Sequence, residues 1–174
     1  MSYYDRGRSQ SQDDFGVDSR GFGSNRGREN RAPRVRLNAA TGGAGPLPII
    51  TTLFSEEISV VAVSIDTTGM ETPAVLLNFS SIISLPLGIS VTLNFQINRT
   101  FNDGTSVKVG STYTFSTLVD ILEAESFCFQ LFDSELAAGK YTYTAELSTN
   151  SIIDITPGLT IVNATLSALA VDND

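Results

Sequence analysis

Few side chains in this chain could do chemistry, because its 174 residues include no histidine and one cysteine. Without imidazole, a serine–histidine or cysteine–histidine nucleophile pair and a histidine-ligated zinc or haem are excluded. Carboxylates remain, and Glu123 with Glu125 and Asp172 with Asp174 are the closest groupings for a glycosidase pair or a calcium site. Neither has the spacing of an EF-hand loop, and solvated strand ends with a charged tail explain them more simply. We therefore expect a protein that is not an enzyme and that holds no cofactor and no metal.

Cys128 is the second candidate for chemistry. It lies in the segment SFCFQLF, where Phe127, Phe129 and Leu131 alternate and are expected to face a core, so that Cys128 points to the opposite face. A single cysteine cannot form a disulfide within its own chain. Cys128 is therefore either an inert, small apolar side chain or the site of an intermolecular disulfide with another subunit.

Charge divides the chain into two parts. Eight of the 11 basic residues precede Pro46, whereas 14 of the 19 acidic residues follow Gly45. Residues 1–45 are rich in Arg, Gly and Ser and poor in apolar side chains, which predicts a disordered, flexible arm on an acidic body. Opposite charges attract, so the arm is expected to lie on its own body or on a neighbour's. Because five acids dilute its arginines, we expect that nucleic acid is not a partner.

From residue 46 to 174 the sequence changes to short β-rich runs separated by Gly, Pro, Asn and Asp. Strict alternation marks Ile89–Asn98, and the turn Asn102–Gly104 after it predicts a hairpin. Similar runs predict strands at 58–66, 74–83, 105–116, 126–132, 140–148 and 159–171, with weaker ones at 47–54 and 152–155. One short helix is predicted over Leu118–Glu125. This pattern, with about 8–10 strands, predicts an all-β, antiparallel two-sheet β-sandwich, jelly-roll-like rather than immunoglobulin-like.

Targeting signals are not evident in the sequence. No apolar stretch of the kind that a secretory signal needs precedes Leu47, and no apolar run is long enough to span a membrane. We therefore expect a protein that is made in the cytosol without a signal peptide and that has no membrane partner.

Four segments carry a resemblance to a known family: VLLNFSSII (75–83), ESFCFQLFD (125–133), YTYTAEL (141–147) and IVNATLSALAV (161–171). Together they resemble an uncharacterised family of small spore-surface proteins of clostridia and related spore-forming bacteria, over most of residues 58–171. The resemblance implies a structural protein of an exosporium or appendage layer, without enzymatic activity. The C-terminal half of that family is often cysteine-rich, whereas this chain has only Cys128. More distantly, the chain looks like the jelly-roll heads of trimeric exosporium glycoproteins.

A self-assembling subunit is the function that these features favour, with itself and other spore-surface proteins as partners. An extended segment at 46–54, released by the glycines at 42, 43 and 45, could complete the open sheet edge of the next subunit. Its apolar side chains are the predicted assembly residues: Leu47, Ile49, Ile50, Leu53 and Phe54. The alternatives are a ligand-binding, lectin-like jelly-roll module and, more remotely, a viral capsid protein.

Overall fold

The computed structural model describes residues 34–47, 57–86, 89–119, 123–149 and 158–172. All regular structure in these ranges is β-strand. The described residues form eight strands: β1 Val35–Ala44, β2 Ile58–Asp66, β3 Pro73–Leu85, β4 Ile89–Phe101, β5 Ser106–Val119, β6 Glu123–Asp133, β7 Lys140–Ser148 and β8 Thr160–Asp172. The bounds predicted for β2 and β7 are confirmed to the residue, because both are alternating runs that end at turns.

The strands form two antiparallel sheets of four. Sheet A has the order β1-β8-β3-β6, and sheet B has the order β2-β7-β4-β5. Each strand of the first half of the chain thus pairs with its counterpart from the second half: β1 with β8, β2 with β7, β3 with β6 and β4 with β5. This wrapped order is that of an eight-stranded jelly roll. The predicted fold class is therefore confirmed.

Aromatic side chains join the inner faces of the two sheets. The ring centroids of Phe79 on β3 and Phe95 on β4 are 5.4 Å apart, and Tyr113 on β5 stacks on Phe129 of β6 at 4.0 Å. The Tyr113 hydroxyl also donates to the Gln130 backbone carbonyl at 2.9 Å, which ties the edge of sheet B to the edge of sheet A. The predicted hairpin at Asn102–Gly104 is confirmed between β4 and β5. The core thus lies between the sheets, as the alternation predicts.

The predicted boundary between arm and body is wrong, because residues 35–44 form β1. This strand pairs with β8 from Val35↔Val171 to Ala44↔Ile161, so its backbone hydrogen bonds hold it in the sheet. Its side chains are mostly small or polar, and they are mostly exposed. The apolar alternation by which the other strands were predicted is therefore missing from it. The remainder of the predicted arm, residues 1–33, lies outside the described residues.

Two further predictions are wrong in the described residues. The helix over Leu118–Glu125 is not formed at either end, because β5 continues to Val119 and β6 begins at Glu123. The predicted glycine hinge is wrong at two of its positions, because Gly42 and Gly43 lie within the strand β1. A Cβ on Gly42 would overlap the Val60 carbonyl oxygen of β2. Gly42 therefore allows the two edge strands β1 and β2 to approach closely.

Candidate functional site

Of the predicted assembly residues, which lie at 46–54, only Leu47 is among the residues that the structure describes. Leu47 is 4% exposed, and its backbone N–H donates to the carbonyl oxygen of Leu159 at 2.8 Å. Leu47 is therefore a core residue of its own domain and not an exposed side chain that could bind a neighbouring subunit. The other four predicted assembly residues, Ile49, Ile50, Leu53 and Phe54, lie outside the described residues, so their role stays a prediction.

The N-terminal strand β1 is an edge strand of sheet A and is held mainly through its backbone. Only Ala40 and Ala44 among its side chains are partly buried against the core. The large apolar side chains of Val35 and Leu37 are 59% and 71% exposed. The strand therefore contributes backbone pairing with β8 and little apolar burial to the domain.

Polar side chains at the start of β1 tie it to the β2–β3 connection. Arg34 Nη1 donates to the Gly69 carbonyl at 2.6 Å, and Arg36 Nη2 donates to the Thr68 carbonyl at 3.2 Å. The Arg36 guanidinium also lies 3.6 Å from a carboxylate oxygen of Asp66. Arg36 thus pairs with an acidic side chain of the body, whereas Arg34 contacts a backbone carbonyl.

A groove of about 370 Å³ separates β1 from β2. Its one carboxylate, Asp66, lies between Arg36 and Lys140, whose Nζ is 3.9 Å away. Hydrogen bonds from Thr68 lower the pKa of Asp66, with a smaller contribution from the two cations. The charges of the groove therefore pair with one another. It is lined by Arg36, Leu37, Asn38, Ser64, Ile65, Asp66 and Lys140.

Cys128 occupies the outer face of sheet A, as predicted. It is a free, exposed thiol on the edge strand β6, opposite Ser80 of β3. The alternation of β6 places Phe129 and Leu131 in the core and Cys128 outside. An intermolecular disulfide at this position stays a prediction.

Two of the candidate carboxylates, Asp172 and Glu125, form hydrogen bonds to groups other than carboxylates. Asp172 accepts hydrogen bonds from the backbone N–H groups of Glu71 and Thr72 at 2.8 and 3.0 Å, so it caps the chain before β3. Glu125 accepts from the Thr117 hydroxyl at 3.5 Å, and Asp174 lies outside the described residues. No group of three or more His, Cys, Asp or Glu side chains suited to a metal ion occurs among the residues described. Nor does that part of the chain contain a helix able to cross a membrane.

An ionic network at one end of the sandwich is a site that sequence reasoning missed. Arg99 Nη1 lies 2.8 Å from both carboxylate oxygens of Asp133, whose Oδ2 also accepts from the Tyr143 hydroxyl at 2.8 Å. The Arg99 and Asp133 side chains are only 17% and 10% exposed. The guanidinium lies over the rings of Phe101 and Tyr141, 5.0 and 5.8 Å from their centroids.

The electrostatics of this network keep Tyr143 neutral. Burial raises the pKa of Tyr143 strongly, and the neighbouring charge of Asp133 raises it further. A neutral tyrosine keeps its hydroxyl proton, so Tyr143 can donate a hydrogen bond to the Asp133 carboxylate. The signal in the sequence was the position of Arg99, which continues the inward register of Phe95 and Ile97 on β4. The network closes this end of the core.

The outer face of sheet B carries a ladder of amides and hydroxyls along β4. Asn94, Gln96 and Asn98 are each at most 9% exposed, although they face away from the core. The Gln96 amide donates to the Val109 carbonyl at 2.9 Å and accepts from the Thr112 hydroxyl at 3.0 Å. The strands thus satisfy the Gln96 amide, whereas the buried Asn98 Oδ1 has no hydrogen-bond partner among the described residues.

A pair of glutamates with shifted pKa values ends this ladder. Glu57 forms an ion pair with Lys108 at 2.6 Å, and Glu146 accepts a hydrogen bond from the Asn98 amide. Burial raises the pKa of Glu146 to about 7, and its hydrogen bond to Glu57 contributes. The hydrogen bond from Lys108 lowers the pKa of Glu57. One proton therefore sits on Glu146 at mildly acidic pH.

Comparison with solved structures gives distant similarities. The infectious bursal disease virus Gx strain structure is 14% identical with a TM-score of 0.46, over 80% of this chain and 32% of that chain. The CBM22-1 xylan-binding domain from Paenibacillus barcinonensis Xyn10C is 11% identical with a TM-score of 0.32, over 80% and 86% of the two chains. The chain thus spans about a third of the viral chain. At these scores we draw nothing about function from either structure.

Comparison at the level of sequence gives one family. No curated protein matches the chain significantly. The family described as "Domain of unknown function (DUF4489)" matches residues 36–171, a range that begins within β1 and ends within β8. The match therefore covers the whole jelly roll, including the strand that sequence reasoning assigned to the arm, and the chain belongs to this DUF4489 family.

Proposed function

We propose that this chain is a non-enzymatic, self-assembling structural protein, a subunit of a fibre or layer on the surface of a bacterial spore. The observation that carries the proposal is the way in which β1 is held. It is an N-terminal edge strand, it pairs with β8 through the backbone, and most of its side chains are exposed. An edge strand of this kind can leave its own sheet and add to a neighbour's at little cost in apolar burial.

The acceptor for such a strand is β8. When β1 leaves, the edge of β8 is open, and the β1 of a second copy can make the same backbone hydrogen bonds. Leu47 is buried and its N–H donates to Leu159 beside β8, so it would be exchanged together with β1. The ten residues from 48 to 57 span at most about 35 Å when extended, which is enough to reach an adjoining subunit. The donated segment is therefore β1 with Leu47, and residues 48–54 would follow it into the junction.

The geometry of the exchange favours a polymer. Each subunit gives one strand and receives one, so the contact is head-to-tail, and a head-to-tail contact that does not close on itself makes a filament. The resemblance of 58–171 to spore-surface proteins supports the location on a spore. A structural role also agrees with the ionic network and the amide ladder, which form hydrogen bonds within the domain.

Crosslinking of β1 to β8 tests the proposal. Ala39 and Ser167 are directly opposite each other in the register and both face outwards, at a spacing that a disulfide can bridge. The triple variant A39C/S167C/C128S is oxidised at high protein concentration and run on a denaturing, non-reducing gel. We expect a ladder of covalent multimers, because β1 of one subunit is linked to β8 of the next.

The single-cysteine variants A39C/C128S and S167C/C128S are the controls, since neither can form more than a covalent dimer. A ladder that stops at the dimer in the triple variant would indicate a closed exchange instead of a filament. Crosslinks that stay within one chain at every protein concentration would show that β1 is not donated, and the proposal would be wrong.

A further inference from the structure

Most of the exposed large apolar side chains gather on one face of the molecule. Six such side chains occur among the described residues, and five of them lie on the outer face of sheet A. Exposed apolar residues scattered singly are normal, whereas a contiguous group marks an interaction surface. The five are Val35, Leu37, Ile82, Phe132 and Val162; the sixth, Val107, lies on β5 of sheet B.

The register of sheet A arranges these side chains in rows. Leu37 is opposite Leu169, Leu169 is opposite Leu76, and Leu76 is opposite Phe132, so one apolar row crosses all four strands. Further along the same face Ile82 is opposite Val162. Two uncharged rows lie between them: first Ala39, Ser167, Asn78 and Gln130, which include two amides, and then Thr41, Thr165, Ser80 and Cys128.

Charge is missing from this face. None of the described side chains that point outwards from β1, β8, β3 or β6 is Asp, Glu, Lys or Arg. The chain as a whole carries a formal net charge of -8. Two copies that met on most other surfaces would bring like charges together, and this face is where they can meet without that repulsion.

We propose that the outer face of sheet A binds the same face of a second copy of this chain about a two-fold axis. A contact of this kind places the same patch on both sides, so the apolar row of one copy packs on that of the other. With four strands about 4.8 Å apart and about 12 residues long, the face measures about 700–800 Å². That is close to the ~800 Å² per partner that a stable interface buries.

This interface goes beyond the proposed function, because it uses outward side chains and not the open edge of β8. Whether the β1 in a given sheet belongs to its own chain or to a neighbour, Leu37 occupies the same place in the apolar row. Face-to-face pairing would therefore join two filaments, or two single domains, side by side.

The thiol of Cys128 reports on the face directly. It lies between the apolar row and the Ile82–Val162 pair, and it is exposed in the single chain. The full-length protein is labelled with a bulky maleimide over about a hundredfold range of protein concentration. We expect the labelling rate of Cys128 to fall about tenfold as the face is covered, while the molar mass at least doubles.

Matched lysine substitutions locate the contact. Phe132→Lys with Ile82→Lys places charge on the face, whereas Val107→Lys, at 37% exposed against 36% for Ile82, places it elsewhere. We expect fast labelling at all concentrations for F132K/I82K and the wild-type behaviour for V107K. If the double variant does not fold, as judged by its circular dichroism, the wild-type labelling curve decides alone.

Labelling that is fast and independent of concentration in the wild-type protein would overturn this proposal. If a different macromolecule covers this face in the cell, Cys128 of the pure protein would also be labelled fast at every concentration. Ala39 and Ser167 lie on this same face, but a two-fold contact joins only two copies, so covalent multimers beyond the dimer still report exchange of β1. Conversely, the absence of covalent multimers would leave the labelling curve of Cys128 unchanged, so the two proposals can fail separately.

Discussion

At the scale of single residues, the ionic pair of Arg99 and Asp133 is the most demanding feature of the core. Removing two charges from water costs free energy, which their attraction repays only with good geometry. Here the single nitrogen Nη1 lies 2.8 Å from both carboxylate oxygens, and a tyrosine donates to the same carboxylate, whereas the buried Arg99 Nε has no hydrogen-bond partner in the described part of the chain. Two strands from different sheets are thereby fixed to each other at one end of the sandwich.

Asp133→Asn should destabilise the domain strongly. The substitution leaves the Arg99 guanidinium buried without its counter-charge, and breaking a buried pair in this way costs about 3–5 kcal/mol. Tyr143→Phe is the control, because it removes one hydrogen bond and keeps the pair, at a cost of about 1–2 kcal/mol. Urea unfolding followed by circular dichroism measures both. A loss for D133N no larger than that for Y143F would contradict this account.

Glu146 should make stability depend on pH. Its pKa in the folded protein is about 7, above the ordinary 4.5, so the folded state holds its proton more tightly than the unfolded state. The stability that this proton provides is present below about pH 4.5 and is lost as the pH rises through 7. The pKa of Glu57 is lowered in the folded protein, so the stability that ionised Glu57 provides is lost only as the pH falls below the ordinary pKa of a glutamate.

Glu146→Gln tests this dependence, because the amide cannot titrate. Between about pH 5 and pH 8 we expect the Tm of the wild-type protein to fall by about 2–4 °C more than that of the variant, as expected for a change near 1 kcal/mol once solvent screening of this partly exposed group reduces the linkage effect. Thermal unfolding at several pH values gives the comparison. Parallel curves for the two proteins would mean that Glu146 does not titrate in this range.

At the scale of elements, period-two alternation was enough to predict seven of the strands and the class of fold. It identifies which side chains face a core, and it did so for Phe129, Leu131 and Cys128 on β6. It missed β1, because VRLNAATGGA has small and polar side chains and is held through its backbone. The helix predicted over 118–125 was wrong, because β5 ends at Val119 and β6 begins at Glu123. Alternation describes a strand's two faces and carries no information on its neighbours.

The candidate site was less predictable than the fold for the same reason. The apolar row of sheet A joins four residues that are far apart in sequence, from Leu37 to Leu169. Only the strand order brings them together. Likewise, the partner of Arg99 is Asp133, 34 residues away on the opposite sheet. Both features become visible once the pairing is known.

Gly42→Ala should loosen β1. The new Cβ would overlap the Val60 carbonyl oxygen, a backbone atom that cannot move aside alone, so we expect a loss of about 1–3 kcal/mol. Gly139→Ala is the control, because its Cβ would meet nothing nearer than 3.8 Å and its backbone is unstrained. Unfolding free energies measure the loss, and amide hydrogen exchange shows whether β1 opens first. Equal stability of the two variants would mean that the approach of β1 to β2 is not tight.

At the scale of the whole molecule, an acidic chain with one uncharged face should associate more strongly as salt increases. Salt screens the repulsion between copies of charge -8, while apolar contacts do not weaken. Sedimentation velocity of the wild-type protein at low and high NaCl measures the effect, and we expect the larger species to increase with salt. Association that weakens in salt would indicate an interface made of ion pairs instead.

The beginning of β1 and the end of β8 lie side by side, because the Asp172 backbone N–H donates to the Arg34 carbonyl at 3.0 Å. A circular permutant can therefore join these positions by a short loop and open the chain at the hairpin near Gly104, where space is free. In that molecule β1 and β8 are two arms of one hairpin. β1 could then leave only with β8, and permutation would block strand exchange without changing a side chain on the outer face of sheet A.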